Sequence, residues 1–169
     1  LFDLYNERII DSLDLINIKF KNVLILGNHG IKIAKYIEKK YNNSLLQTYD
    51  FNNLNSKIDI INKSDNFDIV EELIKNEKLK FDLIISNFFL NFSDNIQTVF
   101  KNVIEALVPN GFFIATLPSP ENFSSLKSAM IETDIQLYNG AYNRFNKTQE
   151  INTLIEYLKI NNFKIPLVN

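Results

Sequence analysis

Two glycines, Gly27 and Gly30, close a strand-like run, Val23–Leu26, and open a helix-like one whose apolar positions Ile33, Ala34 and Ile37 fall on one face. A strand that passes through glycine into a helix presents unpaired backbone N–H groups, the usual cradle for a nucleotide in an open α/β sheet. Asn28 lies inside that turn and joins the glycines as a candidate ligand residue. Asp50 ends the next strand-like run, about 20 residues on, where a carboxylate accepts both hydroxyls of a ribose. Plainer readings stand beside these: two glycines also make a tight turn and nothing more, and an Asp also caps the Asn-rich stretch behind it. Asp65 and Asp68 either reach a ligand or cap a short helix ahead of Ile69. Ser86 and Asn87 end a further strand-like run, with Asn91 and Phe92 just beyond; a loop rich in Phe is more often a core plug than a catalytic device. Glu121 and Tyr142 can touch a substrate, but nothing in their spacing requires it.

His29 is the single histidine and there are no cysteines. A histidine metal pair, a histidine relay, a thiolate site, a disulfide and a Cys nucleophile are therefore all excluded, and no metal is expected. His29 itself is expected to face solvent. The chain has 169 residues, 46% of them hydrophobic, which suits one domain over 1–169 with a sizeable core. A net charge of −2 with dispersed lysines offers no basic face for nucleic acid. Abundant Asn, Ile and Lys, with arginine only at Arg8 and Arg144, reflects an AT-rich codon bias and carries no functional meaning. No apolar run reaches the roughly 18–20 residues that span a bilayer. The chain opens on Leu1 and shows no signal-peptide pattern, so it reads as trimmed, with the cytoplasm as its expected compartment.

Helical and strand-like patterns alternate. Leu4, Ile9, Ile10 and Leu13 suggest a leading helix; strands are expected at Val23–Leu26, Leu45–Tyr49, Ile58–Ile61, Phe81–Asn87 and Phe112–Leu117. Ile96, Val99, Phe100, Val103, Ile104 and Leu107 repeat at three and four residues, which predicts a helix over Asn95–Leu107 ended by Val108-Pro-Asn-Gly111. Helices are also expected at Ile31–Lys40, Ile69–Ile74, about Phe123–Thr133 and about Glu150–Ile160. A last extended piece, Phe163–Val168, contains Pro166 and suits an edge. This alternation implies an open, mostly parallel α/β sheet with helices on both faces.

The order of these pieces, with Phe81-Asp-Leu-Ile-Ile-Ser86 and then Leu107-Val-Pro-Asn-Gly-Phe-Phe-Ile114, resembles the class I S-adenosylmethionine-dependent methyltransferases. Arg8–Phe20, Asn122–Lys127 and the run from Arg144 through Leu158 to Pro166 are similar to one branch of that family. The branch contains the biotin-synthesis malonyl-carrier-protein methyltransferase and a related mitochondrial complex I assembly factor. The resemblance implies a Rossmann-like sheet cut short at its last strand, S-adenosylmethionine as cofactor, and a small-molecule or protein-borne acceptor. It implies cofactor contacts for Gly27, Asn28 and Gly30, the ribose role for Asp50, and an adenine-amine contact for Asp65. Ser86 and Asn87 would then lie near the methyl donor.

The family pattern is not kept everywhere. Ile25 stands where the family has an acidic residue, and His29 and Ile31 replace two glycines of the loop. Ser119-Pro-Glu-Asn122 replaces a small polar turn after the fifth strand. The expectation is weak cofactor binding, with an assembly or interaction protein on the same fold as the alternative to an enzyme. A nicotinamide-dependent oxidoreductase is disfavoured by the absence of G-x-G-x-x-G. Methyl transfer asks little of side chains, because the sulfonium is already activated; alignment and exclusion of water suffice.

Overall fold

The computed structural model describes residues 2–27, 30–41, 45–49, 80–93, 95–145 and 148–164. Backbone contacts group the chain into two compact units, Leu1–Leu117 and Pro118–Asn169.

In the first unit, the helix α1 (Phe2–Leu15) leads into β1 (Asn22–Leu26), α2 (Ile31–Lys40) and β2 (Leu45–Tyr49). Then follow β3 (Phe81–Asn87), a 3₁₀ turn (Leu90–Phe92), α3 (Ile96–Ala106) and β4 (Leu107–Thr116). The strands form one sheet in the order β2-β1-β3-β4. Every pairing is parallel: Val23 faces Leu46 on one side and Leu83 on the other, and Leu83 in turn faces Phe112. The first and fourth expected strands therefore run side by side and parallel, as the alternation implied. The expected strand Ile58–Ile61, the helix Ile69–Ile74 and residues 165–168 lie outside the described residues.

Unbroken apolar runs explain the two central strands. Val23, Leu24, Ile25 and Leu26 in β1, and Leu83, Ile84 and Ile85 in β3, are all buried, which is the signature of strands covered on both faces. One face carries Val23, Ile25, Leu83 and Ile85 beneath Ile9 and Leu13 of α1 and Ile33, Ala34 and Ile37 of α2. On the opposite face Phe100 of α3 meets Phe113 of β4 edge to face, with ring centroids 6.0 Å apart. At the N-terminal ends of the strands the Asp82 carboxylate accepts the backbone N–H groups of Lys21 and Asn22 at 2.8 and 2.9 Å, which fixes the β1–β3 register.

The helix expected at Asn95–Leu107 is α3. Asn95 caps it, its side-chain oxygen accepting the Thr98 N–H at 3.2 Å. Ile96, Val99, Phe100 and Val103 are buried, Ile104 is only half-buried, and Leu107 is buried as the first residue of β4. Helical spacing simply continues across the junction, which is why Leu107 looks helical in sequence. Val108-Pro-Asn-Gly111 does not separate the elements either. Phe81 pairs with Leu107 and Leu83 with Phe112, so these four residues loop out of β4 as a bulge, with Asn110 at φ 63°.

Polar groups tie α1 to α2. Lys32 Nζ donates to Glu7 at 3.0 Å. Lys40 Nζ donates to Asp14 at 2.6 Å and to the Leu13 carbonyl at 3.0 Å, and the Tyr36 hydroxyl also donates to Asp14.

The second unit contains α4 (Ser124–Tyr138) and α5 (Ile151–Ile160). Helix α4 runs five residues beyond its expected end at Thr133 and stops at Asn139 in the left-handed conformation, φ 54°. Its buried Asp134 accepts from Arg144 Nε at 3.0 Å and Nη2 at 2.7 Å and from the Tyr142 N–H at 3.2 Å.

Candidate functional site

The strand order reverses between β1 and β3: from β1 the chain's next strand lies to one side, and β3 with β4 lies to the other. Open α/β sheets bind ligands at the C-terminal ends of the strands at such a reversal. Gly27 follows β1 there and Asn87 ends β3, and the two backbones touch. A Cβ on Gly27, whose φ is +106°, would lie 2.2 Å from the Asn87 carbonyl oxygen and 3.2 Å from Phe89 Cβ. Glycine is therefore required at 27 for both conformation and space.

Gly30 caps α2 with an ordinary backbone, φ −68°, and needs glycine for a different reason. A Cβ there would lie 2.8 Å from Ile25 Cγ2. The branched side chain of Ile25 fills the space under the turn, and only 1% of it is exposed. The residue in the place of the family's carboxylate is thus a packed core residue facing Gly30. Ile31 opens α2 with its side chain 40% exposed, so it does not fill the space beneath the turn. The first N–H groups of α2 have no partner within the helix and are the donors this rim offers.

Ser86 and Asn87 are both fully buried and diverge. Successive strand residues face opposite sides of the sheet, so Ser86 shares the side of α3 and Asn87 the side of α1. Ser86 Oγ finds no hydrogen-bond partner among the described residues. A buried hydroxyl left so costs roughly 1–3 kcal/mol, so an oxygen at the mouth of the reversal is suited to meet a ligand atom. Asn87 is engaged: its Nδ2 donates to Asn6 Oδ1 of α1 at 3.0 Å, and its Oδ1 accepts from Thr116 Oγ1 of β4 at 2.8 Å. Thr116 also accepts the Phe88 N–H, at 3.1 Å through Oγ1 and 3.2 Å through its carbonyl. Phe88 itself is left-handed, φ 54°, and its ring lies 4.8 Å from that of Tyr5, edge to face.

Gly27, Gly30, Ser86 and Asn87 thus gather at one rim. Asn28, His29, Asp50, Asp65 and Asp68 lie outside the described residues. Asn91 is half-buried in the 3₁₀ turn. Glu121 is exposed in a turn closed by the Asn122 N–H on the Ser119 carbonyl at 2.9 Å. Tyr142 is exposed, its ring 5.3 Å from the Arg144 guanidinium. The hydrogen bonds from Arg144 hold the Asp134 carboxyl below the usual carboxylate range. Among the described residues no cluster of His, Cys, Asp and Glu can hold a metal, and no helix is long and apolar enough to cross a membrane.

Sequence reasoning missed Asn6 and Thr116. Asn6 did leave a trace, because it sits three residues before Ile9 and seven before Leu13, a polar residue on the buried stripe of α1.

No protein-family model matches the chain. A stretch of 93 residues is 28% identical to the mitochondrial arginine-hydroxylase NDUFAF5 of Dictyostelium discoideum, covering 55% of this chain and 21% of that protein. The chain therefore spans about a fifth of the curated relative it matches. Among solved structures, an S-adenosylmethionine-dependent methyltransferase from Archaeoglobus fulgidus superposes with TM-score 0.66 at 14% identity, over 96% of this chain and 69% of the other. The plantazolicin methyltransferase BpumL, in complex with SAH, superposes with TM-score 0.63 at 16% identity, over 95% and 63%. The parallel order β2-β1-β3-β4, the glycine turn after β1 and these superpositions together show the Rossmann-like fold of the S-adenosylmethionine-dependent methyltransferases.

Proposed function

We propose that this chain binds S-adenosylmethionine at the β1–β3 reversal and belongs to an enzyme that transfers its methyl group to a small acyl or protein-borne acceptor. The observation that carries this reading is the rim itself. Gly27 at φ +106°, the first N–H groups of α2 and the buried Ser86 hydroxyl lie at the C-terminal rim of the sheet, where open α/β folds take their ligands, and the fold is shared with a methyltransferase solved in complex with SAH. When bound, the cofactor supplies an activated methyl group. The chain's own residues supply a dry, aligned site: Ile25 and Leu26 wall the end of β1, and the donors of α2 face the rim.

Calorimetric titration with S-adenosylmethionine and SAH tests it. Binding is expected in the micromolar to millimolar range, about −8 to −4 kcal/mol, because Ile25 brings no carboxylate to the turn. Asp50→Ala, which would remove a charged hydrogen bond of roughly 1.5–3 kcal/mol to the ribose, is expected to weaken binding about tenfold or more. Ser86→Ala is expected to keep or raise the unfolding midpoint while weakening binding. Absence of binding by the native chain overturns the reading and leaves an interaction protein on a methyltransferase fold.

A further inference from the structure

A left-handed phenylalanine is unusual, and Phe88 occupies that conformation at the exit of β3. Such a conformation persists only where its surroundings over-determine it, and such sites cluster around ligand rims. Groups on Thr116 and Tyr5 help to hold this one. The Phe88 N–H is shared between the hydroxyl and the carbonyl of Thr116, and its ring rests on Tyr5. The Asn87 side chain, 0% exposed, stretches between Thr116 Oγ1 on β4 and Asn6 Oδ1 on α1. On the other side of the same residue, the Asn87 carbonyl abuts Gly27, where a Cβ would fall 2.2 Å away. Displacement of Asn87 thus displaces both exits, the glycine turn after β1 and the Phe88 turn after β3.

We propose that Asn87 is a positioning residue and not a ligand contact: the buried clasp Asn6–Asn87–Thr116 holds the backbone of the β1–β3 rim in the shape that binds the cofactor. This rests on the cofactor reading above and deepens it. The clasp gives α1 a part in the site without contact between α1 and ligand. The bonds come from three elements far apart in sequence, so the rim forms only when α1, β3 and β4 are all in place. Hydrogen-bonded buried amides of this kind specify one arrangement, since any slip leaves a donor or acceptor without a partner.

The test is titration with S-adenosylmethionine of the native chain, Asn6→Leu, Asn87→Leu, the Asn6→Leu/Asn87→Leu pair, Thr116→Val and Thr116→Ser. Hydrogen exchange at the Phe88 amide is followed in each variant that retains native far-ultraviolet circular dichroism. Asn6→Leu and Thr116→Val are each expected to weaken binding about tenfold or more, and the double variant no further than Asn87→Leu alone, because all act through one clasp. Thr116→Ser, which keeps the hydroxyl, is expected to bind like the native chain. If only Asn87→Leu loses affinity while Asn6→Leu and Thr116→Val bind normally, Asn87 touches the ligand and the proposal is overturned. If the native chain binds no S-adenosylmethionine, the cofactor reading fails, and exchange at Phe88 decides the clasp by itself. Exchange about tenfold faster in Thr116→Val than in Thr116→Ser supports it, and equal exchange overturns it.

Discussion

A methyl group added at position 30 would lie 2.8 Å from Ile25 Cγ2, with no backbone penalty because φ is −68°. Gly30→Ala therefore isolates a steric effect, and overpacking of this kind costs about 1–3 kcal/mol. Moving the branch of residue 25 outward relieves it, so Gly30→Ala/Ile25→Leu is expected to recover part of the loss. Urea midpoints of the two single variants and the double one make the check, and simple additivity would show that the two groups do not meet. The same contact alters the meaning of Ile25. From sequence it looks like a lost carboxylate; in the fold it is packed with Ile9, Leu13 and Ile33. A carboxylate there would enter an apolar cluster, and a buried charge costs stability unless it is paired, so restoring the family residue alone is expected to unsettle the core. The expectation of weak binding rests on this position being apolar core that brings no carboxylate to the turn.

Elements carry their own tests. Phe100 of α3 is 1% exposed against Phe113, and Phe100→Ala is expected to lower stability by about 3–5 kcal/mol, measured as a shift in denaturation midpoint. The α1–α2 strap adds a pH dependence. Hydrogen bonds from Lys40 and then Tyr36 hold the Asp14 carboxyl below the usual carboxylate range. A folded value below the unfolded one, about 3.9, means that stabilisation is complete above that pH and is lost as pH falls through the folded value. Unfolding measured from pH 6 downward should therefore show a shallower acid limb for Asp14→Asn than for the native chain. A parallel limb in the variant would mean that the Asp14 carboxylate adds nothing to the hold on α1.

At the scale of the whole molecule, a ligand that binds only the folded chain stabilises it by about 2.7 kcal/mol when present at a hundred times its Kd. For a chain of this length each kcal/mol raises Tm by roughly 2–4 °C, so saturating SAH should raise it by about 5–10 °C. Thermal scans with and without SAH check this, and an unmoved Tm argues against a site. Much of the architecture that positions this site is legible in sequence, for a physical reason. α2, β2 and β3 have the boundaries read from residue patterns, because apolar runs there are bounded by glycine or polar residues. Periodicity erred where the helical repeat ran on into Leu107, and at α4, where Ile135, Leu137 and Tyr138 are exposed and carry no buried stripe to read. Gly27 and Gly30 were visible as punctuation, but what presses on them was not. The clasp was hidden because Asn6, Asn87 and Thr116 meet only after three elements assemble.

The bulge at Val108–Gly111 bears on the outer margin of the described sheet. β4 is an outer strand among the described ones, and an outer strand offers its unpaired amides to any extended chain that arrives. Residues 108–111 turn that row aside for the first half of β4, and Pro109 brings no N–H to it. What remains straight is Phe112–Thr116, about 17 Å at roughly 3.3 Å per residue, a short landing for a foreign strand. The Val-Pro-Asn-Gly segment that reads in sequence as punctuation between helix and strand thus interrupts the row of pairing groups along this margin of the described sheet.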